Sequence, residues 1–189
     1  KGQVVRGKTP ASAQLLVDMR SPPLSEIVTA MMKFSNNFVA EMLTKNMVLK
    51  TGATQGTMAL GLESIHDYFK KLGIRREDYR FISPSGLSRK NRLTTGQYVQ
   101  LLREAYGHPA YGAEFLESLP IAGLDGTLKK RLNGLSVRAK TGLLDGVASL
   151  AGYGFKKNRE VMVFAMIYNG PDREGAKALF DDICRSLLE

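Results

Sequence analysis

The chain has 189 residues, of which 43% are hydrophobic and 24% charged, and this composition excludes an intrinsically disordered chain. Its net charge of +9 favours anionic surroundings. The basic residues are scattered and not interleaved with aromatic residues, which argues against nucleic-acid binding. An anionic polymer of the cell envelope fits the same charge, and so does a solvated basic surface without a partner.

The chain has few cysteine and histidine residues, the side chains that most often bind transition metals. Cys184 is the single cysteine, so an internal disulfide and a cysteine-rich zinc site are excluded. His66 and His108 lie far apart in sequence and without a carboxylate arrangement that suggests a metal. The sequence therefore implies no metal and no organic cofactor. Cys184 falls on the apolar face of the last predicted helix, where we expect it to be buried.

The chain opens on Lys1 rather than Met, and we expect it to be a piece of a longer product. The first predicted elements follow this start and precede a polar tripeptide. Residues 15–17 (Leu-Leu-Val) are a candidate short strand. Ser21-Pro22-Pro23 is typical of a helix start, and apolar residues at helical spacing predict one helix from there to about Phe34.

Ser35-Asn36-Asn37 then interrupts the helical pattern, which resumes at Phe38 and runs to Gly52. Ser35 or Asn36 as an N-cap is the simplest interpretation, since both residue types are favoured caps. Capping alone does not explain three polar side chains between two apolar helices, because buried polar groups need partners.

Helices dominate the middle of the chain. Gly73 is predicted to end the helix that begins at Thr54, and a polar loop occupies residues 83–94. The predicted elements between residues 54 and 132 are helices at 54–72, 95–106 and 110–116, a short strand at 79–82, and a loop that enters a short helix through Leu132.

Three strands and a helix close the chain. The strands are predicted at 135–141, 147–155 and 161–168, and residues 156–159 form a hairpin-like turn. The third strand is apolar throughout, as expected of a strand covered on both faces. The pattern predicts an α+β fold, in which a helical lobe at about 22–132 adjoins an antiparallel sheet and closing helix at about 135–189.

Lys140-Thr141-Gly142 ends the first of these strands with an ammonium group, a hydroxyl and a glycine, where a polar ligand can approach the backbone. The tripeptide alone is a weak signal. Together with Ser35-Asn36-Asn37 it matches the second and third parts of the Ser-x-x-Lys, Ser-Asp-Asn and Lys-Thr-Gly signature of penicillin-binding proteins and β-lactamases.

Longer stretches strengthen this match. The chain resembles the D-alanyl-D-alanine carboxypeptidase/endopeptidases of the penicillin-binding protein 4 type over residues 21–43, 85–93, 119–128 and 138–153. The resemblance implies the serine-transpeptidase fold, known also from β-lactamases. It also implies hydrolysis of the D-Ala-D-Ala bond of a peptidoglycan stem peptide, or of a D-amino cross-link, through an acyl-enzyme that penicillin also forms.

The resemblance implies site residues as well. Ser35 and Lys140 would be the proton shuttle and electrostatic partners of the nucleophile, and Asn37 would bind the peptide amide of the substrate. The substrate-binding residues would be Thr141 for the free carboxylate, Gly142 for the bare strand edge, and Leu143, whose backbone N–H would supply half of the oxyanion hole.

Two departures from the family pattern stand out. Leu143 replaces the small hydroxyl residue that usually follows Lys-Thr-Gly, which weakens the predicted carboxylate anchor. No serine in the chain has a lysine three positions later, so the nucleophile is absent. We therefore expect the C-terminal portion of a longer periplasmic or extracytoplasmic enzyme, inactive alone, with its first strands, serine helix and signal peptide upstream.

Two alternatives remain open from sequence. A descendant of this fold that lost the nucleophile would be a peptidoglycan-binding module, and a β-lactamase or esterase would again need an upstream Ser-x-x-Lys. Without the N-terminal portion of the fold, the substrate groove would lack one wall and would expose apolar surface. We therefore expect the chain to associate with itself or with that missing portion.

Overall fold

The computed structural model describes residues 2–52 and 54–188. Residues 2–23 form no helix or strand, so the strand predicted at Leu15–Val17 is wrong. The side chains of these three residues are 72–88% exposed. An apolar triplet becomes a strand only when a neighbouring strand takes up its backbone hydrogen bonds, and residues 15–17 have no such neighbour among the described residues.

Two consecutive helices surround the Ser35-Asn36-Asn37 junction, as predicted. α1 covers Leu24–Phe34 and follows Pro23, whose fixed φ suits the start of a helix. α2 covers Asn37–Asn46 and continues as a 3-10 helix at Met47–Thr51. The two helices therefore meet at the polar tripeptide.

α3 covers Met58–Lys71 and starts later than the predicted Thr54. The reason is Thr57, whose hydroxyl accepts a hydrogen bond from the Leu60 N–H at 3.3 Å and so caps the helix. Gly73 follows the helix with a φ of 76°, the left-handed conformation that ends many helices.

The polar loop at residues 83–94 is present as predicted. The strand predicted at 79–82 is reduced to an isolated bridge between Arg80 and Arg92, which closes the loop at its base. α4 covers Thr95–Gly107 and begins with a capping box, in which the side chains and N–H groups of Thr94 and Gln97 bond reciprocally. α5 covers Gly112–Ser118.

The C-terminal third is an antiparallel sheet and a helix. β1 covers Val137–Leu144, β2 covers Val147–Phe155, β3 covers Val161–Asn169, and α6 covers Arg173–Leu188. The strand order is β1-β2-β3, so β1 and β3 are the edges. The predicted strands are confirmed, and β1 extends through the whole Lys-Thr-Gly motif, because Lys140 to Leu144 continue to pair with β2.

One face of the sheet packs on α6. Ala139 of β1 and Leu150 of β2 lie in a core cluster with Phe180 and Cys184 of the helix. Cys184 is buried as predicted, and burial raises the pKa of its thiol to about 11. A thiol in this environment is a packing group.

The opposite face packs on the helical part of the chain. Tyr153 of β2 is fully buried against Leu102 of α4 and Leu119, and its hydroxyl donates to the Leu102 carbonyl at 2.6 Å. β3 contacts both α4 and α6, yet its side chains remain half-buried because it is an edge strand. The prediction that β3 is covered on both faces is met only in part.

Helices on both faces of an antiparallel sheet make this an α+β fold, as predicted. Residues 119–132 form a loop that contains one 3-10 helix, Gly126–Leu128, and this loop runs beside β1. None of the helices within residues 2–52 and 54–188 is long and apolar enough to cross a lipid bilayer. The α1–α2 junction, the 119–132 loop and β1 together position the candidate site.

Candidate active site

Ser35 ends α1 in an unusual conformation. Its φ of 53° and ψ of 49° are left-handed, and the N–H groups of Ser35 and Asn36 both reach the Met31 carbonyl. Glycine is the common residue at such a helix end. Asn36, the alternative candidate, is the N-cap of α2, since its side chain accepts a hydrogen bond from the Val39 N–H at 3.1 Å. Capping therefore explains Asn36 and leaves the Ser35 hydroxyl for another partner.

That partner is Lys140 on β1. The Lys140 ammonium donates to the Ser35 hydroxyl at 2.9 Å and to the Thr141 carbonyl at 3.0 Å. Burial lowers the pKa of Lys140, because the charged form loses solvation. The structure thus brings together two predicted site residues that lie 105 positions apart in the chain.

The other predicted site residues lie within three positions of Ser35 or of Lys140 in the sequence. Asn37 is the first residue of α2 and is half-buried. Gly142 lies opposite Ser149 of β2, and a Cβ at Gly142 would come within 2.3 Å of the Ser149 hydroxyl. Leu143 is 52% exposed, so a large apolar side chain stands at the open edge where the family usually carries a hydroxyl. The roles predicted for these residues remain predictions.

Thr127 was missed by sequence reasoning. Thr141 donates a hydrogen bond to the Thr127 hydroxyl at 2.8 Å, so the 119–132 loop supplies a second hydroxyl beside the motif. The residues Asp125-Gly126-Thr127 belong to a stretch that carries the family resemblance, and this was the available signal. Their contact with β1 depends on the path of an irregular loop, which no hydrophobic period predicts.

Lys33 and Asp125 were also missed. The Lys33 ammonium pairs with the Asp125 carboxylate and also reaches the Leu119 carbonyl at 3.4 Å, which ties the last turn of α1 to the loop. Burial would raise the pKa of Asp125, but the hydrogen bonds from Lys33 and the Ile121 N–H, with the charges of Lys33 and Arg138, hold it below its usual value. The carboxylate is therefore ionised at neutral pH.

The outer edge of β1 is only half covered. The Ala139 N–H donates to the Pro120 carbonyl at 3.0 Å, and the Val137 carbonyl accepts from the Ala122 N–H at 3.0 Å. Backbone groups alternate between the two edges of a strand, so the N–H of Leu143 points to the same outer edge as that of Ala139. From Lys140 onward no described backbone segment pairs with that edge, and its Thr141 carbonyl accepts only from the Lys140 side chain.

The polar loop borders this open edge. Arg89 donates to the carbonyl of Asp145 at 2.6 Å and to its carboxylate at 2.8 Å, which links the loop to the turn between β1 and β2. Near the start of the loop, the Ser85 hydroxyl donates to Glu41 of α2 at 3.0 Å. The start and the middle of the loop are thus tied to α2 and to the β1–β2 turn, although an exposed ion pair such as Arg89–Asp145 adds little stability.

These groups favour acyl-transfer chemistry. A hydroxyl hydrogen-bonded to a lysine with a lowered pKa can relay a proton, and a free backbone N–H at a strand edge can bind a developing oxyanion. Within residues 2–52 and 54–188 there is no cluster of three or more His, Cys, Asp or Glu side chains that could hold a metal ion.

Comparison with known proteins supports this description. Residues 1–187 match the model of the D-Ala-D-Ala carboxypeptidase 3 (S13) family. The chain is 37% identical over 201 residues to a D-alanyl-D-alanine carboxypeptidase of Actinomadura sp., and this match covers all of the chain. It is 31% identical over 175 residues to the D-alanyl-D-alanine carboxypeptidase DacB of Haemophilus influenzae, over 89% of the chain.

Solved structures of two other proteins share the fold of this chain. Penicillin-binding protein 4 of Haemophilus influenzae, crystallised with a novel β-lactam, superposes with a TM-score of 0.81 at 27% identity and covers 97% of this chain and 46% of that one. The TLA-1 extended-spectrum β-lactamase shares the fold, with a TM-score of 0.63 at 20% identity, and the match covers 87% of this chain and 63% of that one.

The chain spans 37% of the Actinomadura relative and 36% of the Haemophilus relative. The family match nevertheless covers nearly every residue of this chain, and it includes both motifs and the loop between them. The fold, the two motifs and the matches agree. This chain therefore belongs to the D-Ala-D-Ala carboxypeptidase 3 (S13) family.

Proposed function

We propose that the protein containing this chain is a serine-type D-Ala-D-Ala carboxypeptidase/endopeptidase that acts on peptidoglycan stem peptides. The observation that carries the proposal is the 2.9 Å hydrogen bond from Lys140 to Ser35 at the open edge of β1. Stability alone does not explain this pair, because Ser35 is exposed at a helix end where glycine would be more stable.

The nucleophile would come from a Ser-x-x-Lys sequence elsewhere in the protein, since none occurs in this chain. Its hydroxyl oxygen would attack the carbonyl carbon of the penultimate D-Ala, and its proton would pass through Ser35 and Lys140 to the amine of the leaving D-Ala. Water would then hydrolyse the ester and return a proton to the serine. A penicillin would acylate the same oxygen through its β-lactam carbonyl.

The open edge of β1 would hold the substrate. An extended peptide can add to such an edge by main-chain hydrogen bonds. The Leu143 N–H, which points outward, would bind the oxyanion together with a donor from the rest of the protein, and Asn37 would bind the peptide amide. Thr141 would contact the terminal carboxylate by turning its O–H from Thr127 to the substrate, and the Thr127 hydroxyl would then donate to Thr141.

Leu143 sets this site apart from the usual family pattern. A leucine gives a carboxylate no hydrogen bond, so Thr141 would carry that contact alone. A substrate without a free carboxylate would lose less here than in a relative with a hydroxyl at this position. This favours some endopeptidase activity beside carboxypeptidase activity. We place the protein in the periplasm or another extracytoplasmic compartment, where peptidoglycan is found.

The experiment is to express the whole gene product and measure its labelling by a fluorescent penicillin. We expect the wild type to be labelled, and Lys140→Ala to slow labelling by about 10²–10⁴-fold through loss of the proton shuttle. Labelling that is unchanged in Lys140→Ala would contradict the proposal. A protein that is never labelled but retains peptidoglycan in a pull-down would instead be a binding module.

The same assay separates a β-lactamase. A carboxypeptidase forms a long-lived adduct with penicillin and hydrolyses D-Ala-D-Ala peptides. Turnover of penicillin much faster than of a D-Ala-D-Ala peptide would identify a β-lactamase or esterase on this fold.

A further inference from the structure

Three polar contacts form a closed ring around the α1–α2 junction. Lys33 of α1 pairs with Asp125 of the 119–132 loop, and two residues beyond Asp125 the loop contacts Thr141 of β1. Lys140 of β1 in turn reaches Ser35, two residues beyond Lys33. Each of the three segments therefore contacts the other two. The Lys33–Asp125 ion pair closes the ring on the side away from the strand, and we call it the anchor pair.

The anchor pair is well placed to hold the end of α1. Lys33 lies in the last helical turn, and its side chain is only 17% exposed, against 33% for Asp125. A lysine in this turn also interacts favourably with the helix dipole. Lys33 supplies the side-chain hydrogen bonds that join α1 to residues 119–125 in the described part of the chain.

The anchor pair also holds the 119–132 loop, through contacts of Asp125 and Gly126. The Asp125 carboxylate accepts a hydrogen bond from the Ile121 N–H at 2.8 Å, which fixes the turn that leads to Thr127. A Cβ at Gly126 would lie 2.8 Å from the Lys33 carbonyl, so the loop backbone touches the helix directly beside the ion pair. A small shift of Asp125 would therefore move Thr127 and the end of α1 together.

We propose that the anchor pair is a positioning device, which fixes Ser35 and Thr127 at hydrogen-bond distance from Lys140 and Thr141. The inference rests on the proposed function, since it assigns the ion pair a role in acylation. Ser35 is exposed and sits in a left-handed conformation, so neighbouring contacts must hold its hydroxyl in place. A displacement of about 1 Å from such a geometry can cost on the order of 10²-fold in rate.

The chain contains a matched control. Arg131 pairs with Asp181 of α6 at 2.7 Å, with side chains 19% and 20% exposed, so this ion pair is similarly buried. It joins the end of the same loop to the helix on the other face of the sheet, and the Arg131 side chain bonds to Asp181 and the Lys177 carbonyl rather than to the ring. Loss of either ion pair leaves a partly buried cation unpaired and should lower stability in a comparable way.

The experiment compares Asp125→Asn with Asp181→Asn in the whole gene product. The measurements are the second-order rate of acylation by a fluorescent penicillin and the urea midpoint. We expect Asp125→Asn to slow acylation at least about tenfold, which is ~1.4 kcal/mol in activation free energy. Asp181→Asn should keep the rate within about twofold despite a similar fall in midpoint. Equal rates in the two variants would overturn the inference.

Lys33 provides a second test that remains decisive if Asp125→Asn does not fold. Lys33→Met keeps most of the aliphatic stem but removes the charge, whereas Lys33→Arg keeps the charge. We expect Lys33→Met to lose acylation and Lys33→Arg to recover most of it at a similar urea midpoint. Equal acylation by the Met and Arg variants would show that packing alone matters and would overturn the inference.

Failure of the inference and failure of the proposed function are distinguishable. A wild-type protein that is never acylated would refute the proposed function. A wild type that is acylated in a Lys140-dependent way, together with an unaffected Asp125→Asn, would refute only the positioning role.

Discussion

At the scale of single residues, Ser35 and Lys140 each occupy an unfavourable environment. Ser35 has a left-handed backbone, which costs an L-residue about 1–2 kcal/mol relative to glycine. Lys140 is buried enough to lower its pKa, so its charged form is destabilised. The two side chains nevertheless meet, at 2.9 Å. Two energetically unfavourable residues that contact each other are typical of functional sites.

The first prediction compares Ser35→Gly with Ser35→Ala in the whole gene product. Both variants lose the hydroxyl, so both should lose penicillin acylation by about 10²–10⁴-fold. Glycine also relieves the backbone strain, so Ser35→Gly should be more stable than Ser35→Ala by about 1 kcal/mol. Urea denaturation and the labelling rate measure the two effects.

Arg159 is the control for this prediction. It also has a left-handed φ, 70°, in the turn between β2 and β3, away from the site. Arg159→Gly and Arg159→Ala should differ in stability in the same direction and leave acylation unchanged. A Ser35→Gly variant that acylates normally would show that the hydroxyl has no role.

The second prediction concerns pH. Because burial lowers the pKa of Lys140, its neutral form is populated at a lower pH than in a free lysine. The acylation rate should therefore rise with pH and level off below the usual lysine pKa. Lys140→Arg, which stays protonated, should be slow at every pH. The same inflection in Lys140→Arg would assign the titration to another group.

The lowered pKa of Lys140 also has a signature in stability. The folded-state pKa lies below the unfolded one, so between the two values the unfolded chain binds more protons. The free energy of unfolding of the wild type, measured relative to Lys140→Met, should therefore rise with pH through that window. A difference that falls with pH would contradict the buried environment of Lys140.

At the scale of elements, the close contact between β1 and β2 positions the Lys-Thr-Gly motif. Gly152 of β2 lies opposite Ala139, and a Cβ there would come within 2.2 Å of the Arg138 carbonyl and 2.5 Å of the Ala139 Cα. Backbone atoms cannot rotate away as a side chain can. A residue larger than glycine at 152 must therefore displace β1.

The third prediction is that Gly152→Ala destabilises the fold by about 1–3 kcal/mol and slows acylation, because β1 moves relative to Ser35. Gly154→Ala is the matched control in the same strand. The atoms nearest to a Cβ at Gly154 belong to the side chain of Leu188, at 2.6–3.2 Å, and a side chain can shift where backbone cannot. We expect Gly154→Ala to keep normal acylation. Equal rates in the two variants would contradict the role of the close contact.

At the scale of the whole molecule, the sequence predicts the regular elements well and the loop contacts poorly. α1 and the strands follow from apolar periodicity, and the proximity of Ser35 and Lys140 was expected from the two motifs. Thr127 and Asp125 were missed, because their contacts depend on an irregular loop. The strand at 15–17 was wrong because apolar composition alone does not provide a pairing partner.

The fourth prediction is that this chain, expressed alone, associates. β3 is an edge strand, and its residues Met162 and Met166 line an apolar cavity of about 90 Å³ together with Ile183 and Leu187 of α6. Unpaired strand edges beside apolar surface favour association with another chain. Sedimentation should show a mass that increases with concentration. A compact monomer across the range would contradict the prediction.

The half-covered edge of β1 limits which molecules can lie along it. Pro120 and Ala122 already occupy the hydrogen-bonding positions beside Val137 and Ala139, so the free part of the edge begins only at Lys140. An extended ligand that passes Leu143 and Thr141 in that direction meets the backbone of the loop and can go no further. The free edge is therefore closed at its Ala139 end, and a ligand that continues beyond Thr141 must leave the strand there.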